Sequence, residues 1–80
     1  MVRLFNITKD NRTISCDYEP EKSQQYGYVS ISLENQEIVK SRYSDYKYGK
    51  NFYLSCTCAK LLQILKDGNI IPTEAFAICH

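Results

Sequence analysis

Residues 26–33, Tyr-Gly-Tyr-Val-Ser-Ile-Ser-Leu, decide the fold, because apolar and polar side chains alternate along them. Alternation over this length is typical of a β-strand with one buried face. Three residues point to that face: Val29, Ile31 and Leu33. The polar connection 34–37 and the run 38–43 follow directly, so the sequence predicts a β-hairpin over residues 26–43.

A second hairpin is predicted upstream, with strands over residues 2–7 and 12–18. The turn between them contains Asp10 and Asn11, which tolerate left-handed backbone and form hydrogen bonds within turns. In the first strand, alternation predicts two opposite faces, Val2 and Leu4 against Phe5 and Ile7. In the second strand, the predicted buried face consists of Ile14, Cys16 and Tyr18.

One helix is predicted over residues 55–67. Its apolar residues fall at i, i+3, i+4 and i+7 and form one continuous stripe: Cys58, Leu61, Leu62 and Leu65. Ser55 or Thr57 is the expected N-cap, and Gly68 is the expected C-terminal stop. A last strand is predicted over residues 74–79, where Ala75, Ala77 and Cys79 alternate with Phe76 and Ile78.

These elements predict a single α+β domain over residues 1–80. The predicted order is β-β-β-β-α-β, with about five mainly antiparallel strands in one sheet and the helix packed on one face as a second layer. One apolar stripe covers only one face of a sheet. The other face is therefore expected to be open or covered by a partner.

The composition is that of a globular protein, with 80 residues, 44% of them hydrophobic and 24% charged. A formal net charge of +1 gives no general electrostatic reason to expect nucleic acid or a membrane as an obligatory partner. The first residues lack the apolar run of a signal peptide, and no segment approaches the ~20 apolar residues of a membrane span. A cytoplasmic location with reduced cysteines is therefore expected.

The strand-to-helix connection, residues 40–53, is unusually rich in tyrosine and is interleaved with cations. Aromatic rings can stack on bases while cations follow phosphates, as in single-stranded nucleic-acid binding. The same residue types are also enriched at protein interfaces, and they equally suit a plain covering of a sheet edge. The candidate binding residues are Arg42, Tyr43, Tyr46, Lys47, Tyr48, Lys50 and Tyr53.

Four cysteines and one histidine need an explanation. Thiolates and imidazole can hold a metal or carry redox chemistry, and the candidates for such a site are Cys56, Cys58, Cys79 and His80. The paired Cys-x-x-Cys spacing of zinc sites is missing, however, and free cysteine is usually a small buried hydrophobe. Core packing is therefore expected for Cys16, Cys58 and Cys79, whereas Cys56 is expected to face solvent and to be the more reactive thiol.

No phosphate loop, metal-binding histidine pair or nucleophile elbow occurs in the sequence. We therefore predict a non-enzymatic binding or regulatory module, without a cofactor, that acts through the tyrosine-rich connection or the open sheet face. A protein partner or self-association is the leading expectation, with no role for a membrane. Single-stranded nucleic acid is the first alternative and the thiol or metal site is the second.

Three parts of the sequence carry a resemblance to known proteins: the run 26–31, the stretch 40–49 and the closing helix-Gly-Ile-Pro-strand. Together they loosely resemble small uncharacterised proteins of Gram-positive bacteria and their mobile elements. The resemblance spans most of the chain and implies no site residue or mechanism. An inhibitor encoded by a mobile element would be compatible with it and with a binding module.

Overall fold

The computed structural model describes residues 1–68 and 70–79 and contains one five-stranded sheet and one helix. The strands are β1 (Val2–Lys9), β2 (Thr13–Pro20), β3 (Gly27–Ser32), β4 (Ile38–Arg42) and β5 (Glu74–Ala77), and the helix is α1 (Lys50–Asp67). The strand order is β4-β3-β2-β1-β5, and every neighbouring pair is antiparallel. The predicted α+β class and element order are confirmed.

The core lies between α1 and one face of the sheet. The three central strands contribute most of its fully buried side chains: Val2, Leu4, Ile14, Cys16, Tyr18, Val29 and Ile31. The helix buries Leu54, Thr57, Leu61 and Ile64. The predicted stripe is therefore displaced around the helix, because Leu61 lies at its centre while Cys58, Leu62 and Leu65 are only partly buried at its side.

The predicted faces of the first strand are wrong at one residue, Ile7. Asn6 adopts a left-handed backbone with φ 52°, and the register of β1 against β2 shifts between Phe5 and Thr8. This irregularity is a bulge, in which one extra residue breaks the two-residue period. Ile7 consequently returns to the side of Leu4 and is buried instead of lying opposite it with Phe5.

The helix begins five positions before its predicted start. Gly49 is the N-cap in left-handed conformation, with φ 60°, and no side chain caps the first turn. Ser55 and Thr57 are therefore interior residues, and the predicted capping role is wrong. The Thr57 hydroxyl instead donates to the carbonyl of Tyr53, one turn back, at 2.8 Å.

The predicted end of the helix is confirmed. Gly68 is left-handed, with φ 69°, and its N–H donates to the carbonyl of Leu65.

Among the residues the structure describes, no helix has the length and apolar character that a membrane crossing requires. The last strand also has its predicted faces, since Ala77 is buried while Phe76 and Ile78 are exposed.

The buried ring of Tyr18 lies directly against the backbone of Gly27, its neighbour across the β2–β3 pair. A β-carbon at position 27 would be 2.4 Å from two ring carbons of Tyr18, far inside van der Waals contact. Glycine is therefore required here by the lack of space, since its backbone is not in the left-handed region.

Candidate binding surface

Part of the tyrosine-rich connection folds into one aromatic cluster at the beginning of α1. The Tyr46 ring centroid is 6.0 Å from that of Tyr48 and 5.5 Å from that of Tyr53, and the Phe52 ring is 5.3 Å from Tyr53. All three pairs meet edge to face, the preferred geometry of aromatic pairs. We call Tyr46, Tyr48, Phe52 and Tyr53 the tyrosine patch.

The tyrosine patch remains accessible despite these contacts. Tyr48 is 64% exposed and Phe52 is 44% exposed, whereas Tyr46 and Tyr53 are partly buried beneath them. Phe52 was absent from the predicted site, which was chosen for its tyrosines and cations, although Phe52 lies in the same segment 40–53. Its spacing from Tyr48 and Tyr53 becomes informative only once the helix is known to begin at Lys50.

Ser44 anchors the connection to the body of the protein. Its hydroxyl donates to the carbonyl of Gln25 at 2.6 Å and accepts from the N–H of Tyr46 at 3.0 Å. Its own N–H donates to the phenol oxygen of buried Tyr18 at 3.3 Å. Ser44 is itself buried, so these bonds fix the backbone that presents the tyrosine patch.

Two lysines accompany the patch without a carboxylate partner among the described residues. Lys47 lies with its ammonium nitrogen 5.6 Å from the centroid of the Tyr48 ring, within the range of a cation–π contact. Lys50 donates to the carbonyl of Ser44 at 3.4 Å. Neither lysine takes part in the ion pairs of the described chain.

Of the other two predicted binding residues, Arg42 lies apart from the tyrosine patch and Tyr43 contacts the first turn of α1. Arg42 is paired with Tyr28 at the end of β4, on the sheet face turned away from α1. The Tyr43 hydroxyl donates to the side-chain oxygen of Asn51. Six of the seven predicted residues therefore gather around the start of the helix, and Arg42 lies away from them.

A carboxylate 32 residues earlier in the chain, Glu21, fixes Tyr53. The Tyr53 hydroxyl donates to Glu21 at 2.7 Å, and the amino group of Met1 lies at the same distance from that oxygen. The hydrogen bond to Glu21 is the main cause that raises the pKa of Tyr53 to about 12. In turn, the bonds from Met1 and Tyr53 lower the pKa of Glu21.

An alkaline titration checks this contact. In Glu21→Gln the Tyr53 pKa is expected to fall toward the ordinary value of about 10, because the carboxylate that disfavours phenolate is gone. Since the folded pKa of Tyr53 is raised, its stabilising contribution is complete below about pH 10 and is lost as the pH rises toward 12. Tyrosinate absorbance followed against pH measures this, and Glu34→Gln in an exposed turn is the control. Identical titration curves for Glu21→Gln and the native protein would contradict the assignment.

The open face of the sheet carries a network of polar contacts. Arg3 bridges Glu19 at 3.1 Å and Glu74 at 3.0 Å, and its guanidinium carbon lies 4.2 Å from the centroid of the Phe5 ring. Asn6 donates to Asp17 at 2.9 Å. The helix leaves this face uncovered, as expected, and the charges of Arg3, Glu19 and Glu74 are paired within the chain.

The cysteines depart from expectation. Cys56 and Cys79 form a disulfide that joins α1 to the residues after β5, so the expectation of four reduced cysteines is wrong. Cys56 is also neither solvent-facing nor a reactive thiol, because it is partly buried and bonded to sulfur. The sequence could not show this pairing, because it depends on how the end of the sheet lies against the helix.

The remaining two thiols are free, and Cys58 is only partly buried. Cys16 is buried, as predicted, and burial raises its pKa to about 12. Burial also raises the pKa of Cys58. Of the four candidate metal ligands, Cys56 and Cys79 are bonded to each other, and His80 lies outside the described residues. Among the residues that the structure describes, no three metal-binding side chains lie close enough to hold a metal ion.

Comparisons with protein-family models, curated proteins and solved structures found no match to this chain.

Proposed function

We propose that this chain is a small non-enzymatic binding module whose contact surface is the tyrosine patch with Lys47 and Lys50. The observation that carries the proposal is the exposure of Tyr48 and Phe52 on a backbone held by Ser44. Tyrosine and phenylalanine offer large contact areas with few rotatable bonds, which is why aromatic residues are enriched at protein interfaces. The partner that suits such a surface best is another protein.

Pre-organisation supports the same proposal. Edge-to-face packing and the Tyr53–Glu21 bond hold the rings in place before any partner arrives. Side chains that are already ordered lose less entropy on binding, so more of the contact energy appears as affinity. A solvated covering of the helix end would not require these bonds.

A double variant, Tyr46→Ala with Tyr48→Ala, tests the proposal. Partner capture from a lysate of the native host, quantified by mass spectrometry, is expected to fall at least about tenfold, since removal of aromatic hot-spot residues costs on the order of 2 kcal/mol. The matched control is Tyr26→Ala, which removes a tyrosine of comparable exposure that packs on Phe5 of the open sheet face. If Tyr26→Ala reduced partner capture equally, the contact surface would be assigned to the open sheet face instead. Unchanged capture in the double variant would refute the proposal.

Single-stranded nucleic acid is the second candidate, favoured by Lys47 and Lys50 beside exposed rings. It requires binding of a labelled oligodeoxythymidine that weakens steeply with added salt, because released counterions drive such binding. Fluorescence polarisation measures this directly. Lack of binding at low salt would remove the candidate, and so would an affinity that is independent of salt.

The cytoplasmic location stays a prediction, and the disulfide gives a way to test it. Disulfides persist in oxidising compartments and are rare in the cytoplasm. Alkylation of the protein in intact cells, before lysis, followed by mass measurement distinguishes the cytoplasm from an oxidising compartment. Four alkylated cysteines would support the cytoplasm, whereas two would support an oxidising compartment.

A further inference from the structure

Strand β4 lies at one edge of the sheet, and its outer side pairs with no strand among the residues described. Every residue of β4 is exposed, including two large apolar ones, Ile38 at 46% and Val39 at 58%. An unpaired edge presents free backbone N–H and C=O groups that another extended chain can complete. The edge therefore provides the backbone half of a strand-addition site.

The two sides of β4 differ in chemistry. Lys40 is paired with Ser30 and Arg42 with Tyr28, so both cations lie on the sheet face away from α1. Neither cation is in an ion pair within the described chain. Ile38 is paired with buried Ile31 and belongs to the opposite face, because the register shifts between the Ser30–Lys40 and Ile31–Ile38 pairs.

On that opposite face, a groove of about 480 Å³ lies between α1 and the start of β4 at Ile38. Its lining is mostly apolar and includes Ile31, Ile38, Leu54, Cys58, Ala59 and Leu62. A strand placed beside β4 would thus have the apolar groove on the α1 side of the sheet. The two unpaired cations would lie on the other side of the sheet. Side chains of such a strand point alternately to these two sides.

We propose that β4 receives an extended segment of a partner protein in which acidic and apolar residues alternate. The acidic residues would lie across from Lys40 and Arg42, and the apolar residues would enter the groove. Opposite charges on neighbouring strands stabilise pairing, and alternate side chains in pockets give specificity. This site goes beyond the proposed function, because Lys40 and the groove lie outside the tyrosine patch.

A second copy of this chain fits the edge poorly. Antiparallel pairing of two β4 strands would place Lys40 opposite its own equivalent when centred on Lys40, and opposite Arg42 of the other copy when centred on Ser41. Like charges directly opposite each other destabilise a strand pair. The same cations that discourage self-pairing therefore select an anionic strand.

The experiment titrates the isotope-labelled full chain with synthetic octapeptides and follows backbone amide signals by NMR. Alternating glutamate and valine is expected to shift the amide signals of β4 and of the groove. Its affinity is expected to be at least about tenfold higher than that of alternating lysine and valine, or of alternating glutamate and serine, because each control peptide lacks one of the two contacts. Equal affinities, or shifts that map elsewhere, would overturn the proposal.

Charge reversal supplies the second arm. The Lys40→Glu, Arg42→Glu double variant changes only exposed side chains, and its fold is checked by circular dichroism. It is expected to lose the acidic peptide and to gain the lysine peptide, whereas Tyr46→Ala with Tyr48→Ala is expected to keep the native preference. If Tyr46→Ala with Tyr48→Ala no longer bound the acidic peptide, the edge site would be overturned. If this variant still binds the acidic peptide, the edge site is distinct from the surface of the proposed function.

Discussion

Replacement of Cys56 and Cys79 together by serine is expected to lower the free energy of unfolding by about 3 kcal/mol. The bond joins residues 23 positions apart and closes a loop of helix, turn and last strand. Without it, the unfolded chain gains the freedom that loop closure had removed. The effect is large for a domain of this size, whose melting temperature is expected to fall by roughly 15 °C.

Urea unfolding of the native and double-serine proteins measures this difference. Cys58→Ser is the matched control, because Cys58 lies two residues from Cys56 in the same helix but forms no disulfide. Reductant is expected to destabilise the native protein and to leave the double-serine variant unchanged. A native protein with the same unfolding midpoint in oxidised and reduced form would contradict the stabilising role.

Alanine at position 27 is expected to lower the free energy of unfolding by about 2 kcal/mol, since overpacking a well-filled core typically costs 1–3 kcal/mol. The added methyl group would meet the ring of Tyr18, which is fully buried. Either β3 must move away from β2, which weakens their pairing, or the ring must leave its rotamer. The same variant is also expected to loosen Ser44, which bonds the Tyr18 hydroxyl.

A double-mutant cycle with Tyr18→Leu isolates the collision, because leucine lacks the ring atoms that the new methyl group would meet. In the Tyr18→Leu background, Gly27→Ala is expected to cost less than half of its cost in the native background. Chemical denaturation of the four proteins provides the values. Equal costs in both backgrounds would show that space beside Tyr18 is not the reason for glycine.

Most of the fold could be predicted because local periodicity and burial agree over most of the chain. The alternation in 26–33 and the i, i+3, i+4 spacing around Leu61 each place apolar residues on one side of an element. Val29, Ile31 and Leu61 are buried between the sheet and the helix, and the other predicted apolar residues are partly buried against this core. The uncovered sheet face could be predicted because one helix covers only one face of a sheet.

The errors have local physical causes. Asn6 adopts a left-handed backbone, which asparagine tolerates but which its presence in a strand does not predict. This conformation moves Ile7 to the other face. The first turn of α1 lacks both a side-chain cap and an acidic residue, so the usual start signals are missing at Gly49. The disulfide depends on tertiary geometry, which spacing along the chain does not determine.

The candidate surface was partly visible in the sequence. Tyr46, Tyr48 and Tyr53 stood in one segment, and the structure brings their rings together. Arg42 was included because it is close in sequence, yet strand pairing turns it toward the opposite sheet face. The contact between Tyr53 and Glu21 spans 32 residues and could be found only from the folded structure.

The position of β1 between β2 and β5 has a consequence for the order of folding. The strands β1 to β4 pair with their neighbours in the chain, so their contacts can form as soon as each hairpin has been synthesised. The β1–β5 pair joins segments such as Arg3 and Glu74, which are 71 residues apart, and long-range pairing is slow because much chain entropy is lost first. We therefore expect the four-stranded meander to fold first, with β1 keeping an unpaired side until β5 docks.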